Sequence, residues 1–111
     1  QEYLGVCPSS DREGALQDVH WTSGFGYFPT YAIGNFYNAM YYNRLKEEVD
    51  VNAAIREGNF APLNNWMIGH VFDRADRLSP KEWIKDITGR EFTPVDFLDY
   101  LEAKYSELYG L

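Results

Sequence analysis

A chain of 111 residues is sized for one domain with a modest core. Its net charge of -7, with 10 Lys and Arg interspersed among 17 Asp and Glu, leaves no basic patch for a phosphate backbone and argues against nucleic acid as a partner. One cysteine, Cys7, gives no internal disulfide framework and suits a reducing, cytoplasmic setting, and no apolar run approaches the roughly 20 residues that cross a bilayer, so no membrane partner is expected.

Taken in order, Gln1-Glu2-Tyr3-Leu4-Gly5-Val6 reads as the end of an earlier helix or turn, with neither an initiator methionine nor a signal peptide. A fragment of something longer is expected. Residues 5 to 26 are loop-like, because Pro8 and then Gly14, Gly24 and Gly26 interrupt every candidate helix. A short helical turn around Leu16 to Trp21 is all this stretch allows. Pro29 suits a first helical turn, and about Phe28 to Val49 is predicted as one long helix. From Phe28 to Tyr42 it is apolar or aromatic on nearly every face, which predicts burial on all sides and elements that this chain does not supply. The remainder, Arg44-Leu45-Lys46-Glu47-Glu48, turns polar toward solvent.

Asp50 then caps a short helix over Val51 to Glu57, stopped by Gly58. Pro62 opens a helix to about Leu78, in which Leu63, Trp66, Met67, His70 and Val71 follow an i, i+3, i+4, i+7, i+8 pattern. Ser79-Pro80-Lys81-Glu82 is a capping box for a helix with Trp83, Ile84 and Ile87 inward, ending at Gly89. Thr93-Pro94-Val95-Asp96 repeats the signal with Asp for Glu. Leu98, Leu101, Tyr105, Leu108 and Tyr109 line one face of the last helix. The fold class is all-α: one long buried helix with three to four shorter ones, divided into a loop region over 1–27 and a helical scaffold over 28–111.

The chemistry gathers in the loop region. Gln17, Asp18 and His20 lie close enough to share one turn, and a carboxylate beside an imidazole sets its tautomer and favours its charged form, as an acid or an oxyanion donor requires. Tyr27 and Tyr31 are four apart across the helix start; if the helix includes both, their hydroxyls project from a common face. Plainer readings stand beside these: His20 next to Trp21 also suits a satisfied structural histidine, Asp18 a turn cap, and tyrosines in a buried helix core packing. Gly24 and Gly26 suit positive φ whatever the function. Cys7 reads as an inert packing residue, and His70, on an apolar helix face, as a buried or interface histidine.

The run Gly14-x-x-Gln17-Asp18-x-His20-Trp21, followed by Gly24-Phe25-Gly26-Tyr27-Phe28-Pro29-Thr30-Tyr31, resembles the C-terminal signature of the carboxypeptidase Taq family of zinc metallocarboxypeptidases. Gly58-Asn59-Phe60-Ala61-Pro62-Leu63, Ile87-Thr88-Gly89 and the ending from Leu101 to Leu111 are similar to that family's tail, so the resemblance spans nearly the whole chain. It implies a C-terminal fragment of a longer, mostly helical, usually homodimeric enzyme that hydrolyses single residues from peptide C-termini. The family holds zinc (or cobalt) on a His-Glu-x-x-His helix plus a later Glu. The only histidines here are His20 and His70, neither in that pattern, so the fragment is expected to bind no catalytic metal and to be inactive without the missing N-terminal part.

The resemblance implies that His20 and one of Tyr27 or Tyr31 hydrogen-bond the tetrahedral oxyanion or the substrate backbone, each donor contributing about 3 kcal/mol of transition-state stabilisation. It implies further that Asp18 orients His20 and that Gln17 and Trp21 shape the pocket. Arg12 is the local candidate for receiving a terminal carboxylate, against its reading as a solvated loop arginine. The rival from another class is a non-catalytic all-helical protein-interaction module that keeps the scaffold and lacks the chemistry.

Overall fold

The computed structural model describes residues 5–74 and 77–111, so the reading of the first residues as the tail of an earlier element falls mostly outside it. Among the described residues there are five α-helices joined by 3-10 turns and loops and no strand, in keeping with the all-α expectation. The chain divides into two units, 1–32 and 33–111.

The first unit opens with three short 3-10 turns, Asp11–Glu13, Ala15–Gln17 and Val19–Trp21, in place of the single helical turn expected around Leu16 to Trp21. Gly14 separates the first two turns, where an added Cβ would come within 2.8 Å of the Pro8 ring, closer than side chains tolerate. Cys7 is exposed, not packed as the sequence suggested.

Helix α1 runs over Pro29–Glu48, close to the expected span, with proline at a first-turn position that needs no N–H. In the second unit its Met40, Tyr41 and Leu45 join Val51, Trp66, Val71, Ile84 and Ile87 in the core. Ile84 is fully buried, which contributes about 1.5–3 kcal/mol. The expectation of burial on all faces fails for the first half: Tyr31, Ile33 and Tyr42 are exposed. That half carries apolar groups on more faces than the described residues cover.

Asp50 caps α2, Val51–Glu57, by accepting from the Ala53 N–H at 2.9 Å, and the helix stops at Gly58 as expected. Helix α3, Ala61–His70, is shorter than predicted. It gives way to a 3-10 turn over Phe72–Arg74 after Val71, which caps the helix with its side chain buried; Ala75 and Asp76, which the longer prediction included, lie outside the described residues. His70 is half-buried, its ring stacked 4.5 Å from that of Trp66, whose indole N–H donates to Glu48 at 2.8 Å.

Helix α4, Pro80–Thr88, opens on the predicted capping box: Ser79 and Glu82 exchange side-chain and backbone bonds, with Gly89 closing the far end. Helix α5, Val95–Tyr109, departs from the predicted repeat of that device. Thr93 accepts from the Val95 N–H at 3.2 Å, but Asp96 does not reach back to the helix start. It is 5% exposed and is held by two parallel bonds from the Arg90 guanidinium, at 3.0 and 2.9 Å, and one from the Asn43 amide at 2.6 Å. A buried carboxylate needs such partners, and they draw it inward. The apolar row on α5 is real but mostly outward: Leu98, Tyr105, Leu108 and Tyr109 are exposed.

Candidate active-site segment

The polar cluster lies entirely within residues 18–31. Asp18 has extended backbone and caps the Val19–Trp21 turn, its carboxylate accepting from the His20 N–H at 3.0 Å. The same carboxylate oxygen also meets His20 Nδ1. A residue two positions on, folded back by a tight turn, brings both its amide and its ring to one oxygen. The backbone N–H of His20, then its ring, hold the Asp18 carboxyl below the usual carboxylate range, against a smaller opposing effect of burial. On its other side the ring's Nε2 lies 2.8 Å from the Tyr31 hydroxyl.

Aromatic rings frame His20. Tyr27 stacks on it at 5.0 Å between centroids with 27° between planes; Phe28 lies at 5.2 Å and Tyr31 edge-on at 5.5 Å. Trp21 packs on Phe28 at 5.0 Å, and Tyr27 meets Tyr31 nearly perpendicular at 6.0 Å. The connecting turn uses Gly24 and Gly26, with φ of +133° and +86°, values that a side chain strongly disfavours. Tyr27 precedes α1, so the two tyrosines do not share a helix face. They meet because the Tyr27 carbonyl accepts from the Thr30 N–H at 3.1 Å and its hydroxyl at 2.7 Å, folding residue 27 over the helix start.

The structure thus gathers His20, Asp18, Tyr27 and Tyr31, with Trp21 joined through Phe28. Gln17 faces elsewhere: its amide donates to the Arg12 carbonyl at 2.6 Å, tying the first two turns together. The Arg12 side chain is exposed, in keeping with a solvated loop arginine. Phe28 is the member that sequence reasoning misses, since its place at the helix start hides its contacts with His20 and Trp21.

A family model described as "Carboxypeptidase Taq (M32) metallopeptidase" matches residues 1–105. The chain belongs to that family. Among curated relatives, Carboxypeptidase 1 of Bacillus subtilis is 43% identical over all of this chain and 23% of its own length, and Thermostable carboxypeptidase 1 of Thermus thermophilus is 37% identical over 99% of this chain and 22% of its own. Of solved structures, the one titled "BsuCP Crystal Structure" has a TM-score of 0.79 at 43% identity, covering 97% of this chain and 22% of that one. The M32 carboxypeptidase from Deinococcus radiodurans R1 has a TM-score of 0.78 at 37% identity, covering 99% of this chain and 23% of that one. The chain therefore spans less than a quarter of the length of these M32 relatives.

The family is one of metallopeptidases, and the described residues do not fit a metal. Among the described residues no three His, Cys, Asp or Glu side chains converge on a point, and both nitrogens of His20 already meet protein partners. No described helix is long and apolar enough to cross a membrane.

Proposed function

We propose that this chain is the C-terminal part of a zinc-dependent metallocarboxypeptidase that removes residues from peptide C-termini, and that residues 1–27 with the start of the 28–111 scaffold form its substrate-facing wall. The observation that carries this reading is the chain of contacts from Asp18 through His20 to Tyr31, on a half-exposed surface, in a member of the M32 family.

In this reading His20 and one of Tyr27 or Tyr31 bind the oxyanion that develops on the scissile carbonyl, or the substrate backbone. Asp18 fixes the orientation of His20, Trp21 and Phe28 wall the pocket, and Gln17 braces the loop that carries it. Zinc, or cobalt in its place, belongs to residues outside this chain, as does the general base. The whole protein would be a cytoplasmic homo-oligomer, and the exposed aromatic faces of α1 and α5 are where its other parts or its second copy would sit.

In the full-length protein, His20→Ala should lower kcat by about 10²-fold or more with metal content unchanged. Loss of the metal instead would make His20 a ligand or a structural prop. The chain alone, given zinc or cobalt, should hydrolyse no peptide; clear turnover would refute the division of the site.

A further inference from the structure

Helix α5 is longer than its attachment accounts for. Among the described residues it contributes nothing to the apolar core of the second unit, and Asp96 in its first turn is its one buried residue. The bonds from Arg90 and Asn43 to Asp96, and the Phe97 ring 5.8 Å from that of Phe36, hold the start of the helix. Beyond that turn its side-chain pairs, Lys104 with Tyr100 and Tyr105 with Tyr109, stay within the helix. A helix of 15 residues is marginal in water on its own, so the far end of α5 needs a partner.

The apolar row has the spacing of a helix-pairing seam. Leu98, Leu101, Tyr105 and Leu108 follow one another at intervals of three, four and three, the a/d pattern of two heptads, and all but the half-buried Leu101 are exposed. In that frame Glu102 borders the seam on one side and Lys104 on the other. A second copy is a poor match for these borders. Laid antiparallel, it would set Glu102 near Glu102 and Lys104 near Lys104; laid parallel, it would bring together two helix C-termini whose last turns hold no basic residue. Two heptads are also short for joining separate chains, whereas a helix of the same polypeptide meets the seam at a high effective concentration. The M32 relatives have more than three quarters of their length outside the matched region, ample chain to supply one.

We infer that the seam from Leu98 to Leu108 is a docking face for a helix from elsewhere in the same full-length polypeptide, one whose apolar row is bordered by a basic side chain opposite Glu102 and an acidic one opposite Lys104. The inference rests on the reading of this chain as the C-terminal part of a longer enzyme, and its test reads no activity.

Amide hydrogen exchange supplies the test. In the 111-residue chain the amides from Leu101 to Tyr109 should exchange on the order of 10²-fold faster than in the full-length protein; equal rates overturn the inference. A concentrated solution of the chain that protects α5 as well as the full-length protein does would make a second copy the occupant and overturn it too. Leu108→Asp should leave the urea midpoint of the chain in place, because the residue is 64% exposed there, yet speed α5 exchange in the full-length protein by about 10-fold or more. Where that variant does not fold at full length, Leu108→Ala gives the same comparison. Glu102→Lys should also speed α5 exchange in the full-length protein, and a variant indistinguishable from the parent overturns the inference. If α5 is protected as expected while His20→Ala leaves kcat unchanged, the substrate-facing reading of the first unit fails and the docking face stands.

Discussion

At position 18 a single carboxylate caps a turn and holds an imidazole, which makes it the most economical place to perturb the cluster. Asp18→Asn keeps the shape and an acceptor for the His20 N–H but removes the carboxylate charge that meets the His20 ring. In the full-length protein kcat should fall about 10²-fold or more while circular dichroism and metal content stay unchanged; a parallel loss of helix would show that the residue only supports the fold. This pairing was legible in the sequence because Asp18 and His20 are two residues apart. The His20–Tyr31 bond was not, since it spans 11 residues and depends on where the glycine turn sets the helix start. The same turn explains why the two tyrosines meet without sharing a helix.

Among the helices, α4 was readable to the residue because its signals are local: a hydroxyl, a proline and a glutamate at fixed spacing need no tertiary partner. Ser79→Ala should therefore cost about 1 kcal/mol, measured by urea denaturation, with little change elsewhere. The start of α5 misled because its acidic residue has a stronger offer from a distance. Burial pushes the Asp96 carboxyl up, but bonds from Arg90 and then Asn43 together outweigh it and hold the group below the usual carboxylate range. Since the folded value is depressed, the unfolded chain binds the proton first. The clasp's contribution is complete above the ordinary aspartate value of about 3.9 and disappears as pH falls through the lower folded value. Stability measured from pH 6 downward should fall in that acid range, and Asp96→Asn should remove this part of the slope. Arg90→Ala should cost about 2 kcal/mol near neutrality, a figure reduced by the exposure of the guanidinium to solvent.

For the whole chain, the aromatic excess visible in composition becomes exposed surface: Tyr31, Ile33 and Tyr42 on α1, and Leu98, Tyr105, Leu108 and Tyr109 on α5. The sequence showed that α1 is apolar all round but could not show which faces this chain leaves open, because that depends on how much of a longer fold is present. Contiguous apolar patches drive association, so the chain should self-associate as its concentration rises, detectable by sedimentation; a strict monomer at high concentration would refute this. The three tryptophans have a further consequence for spectroscopy. Trp21 is 68% exposed in the first unit, Trp66 is buried against the His70 ring, and Trp83 is half-buried. Their fluorescence should separate accordingly, with the red-shifted component coming from Trp21. Whatever covers the His20 face should move that component to the blue, making the site its own optical reporter.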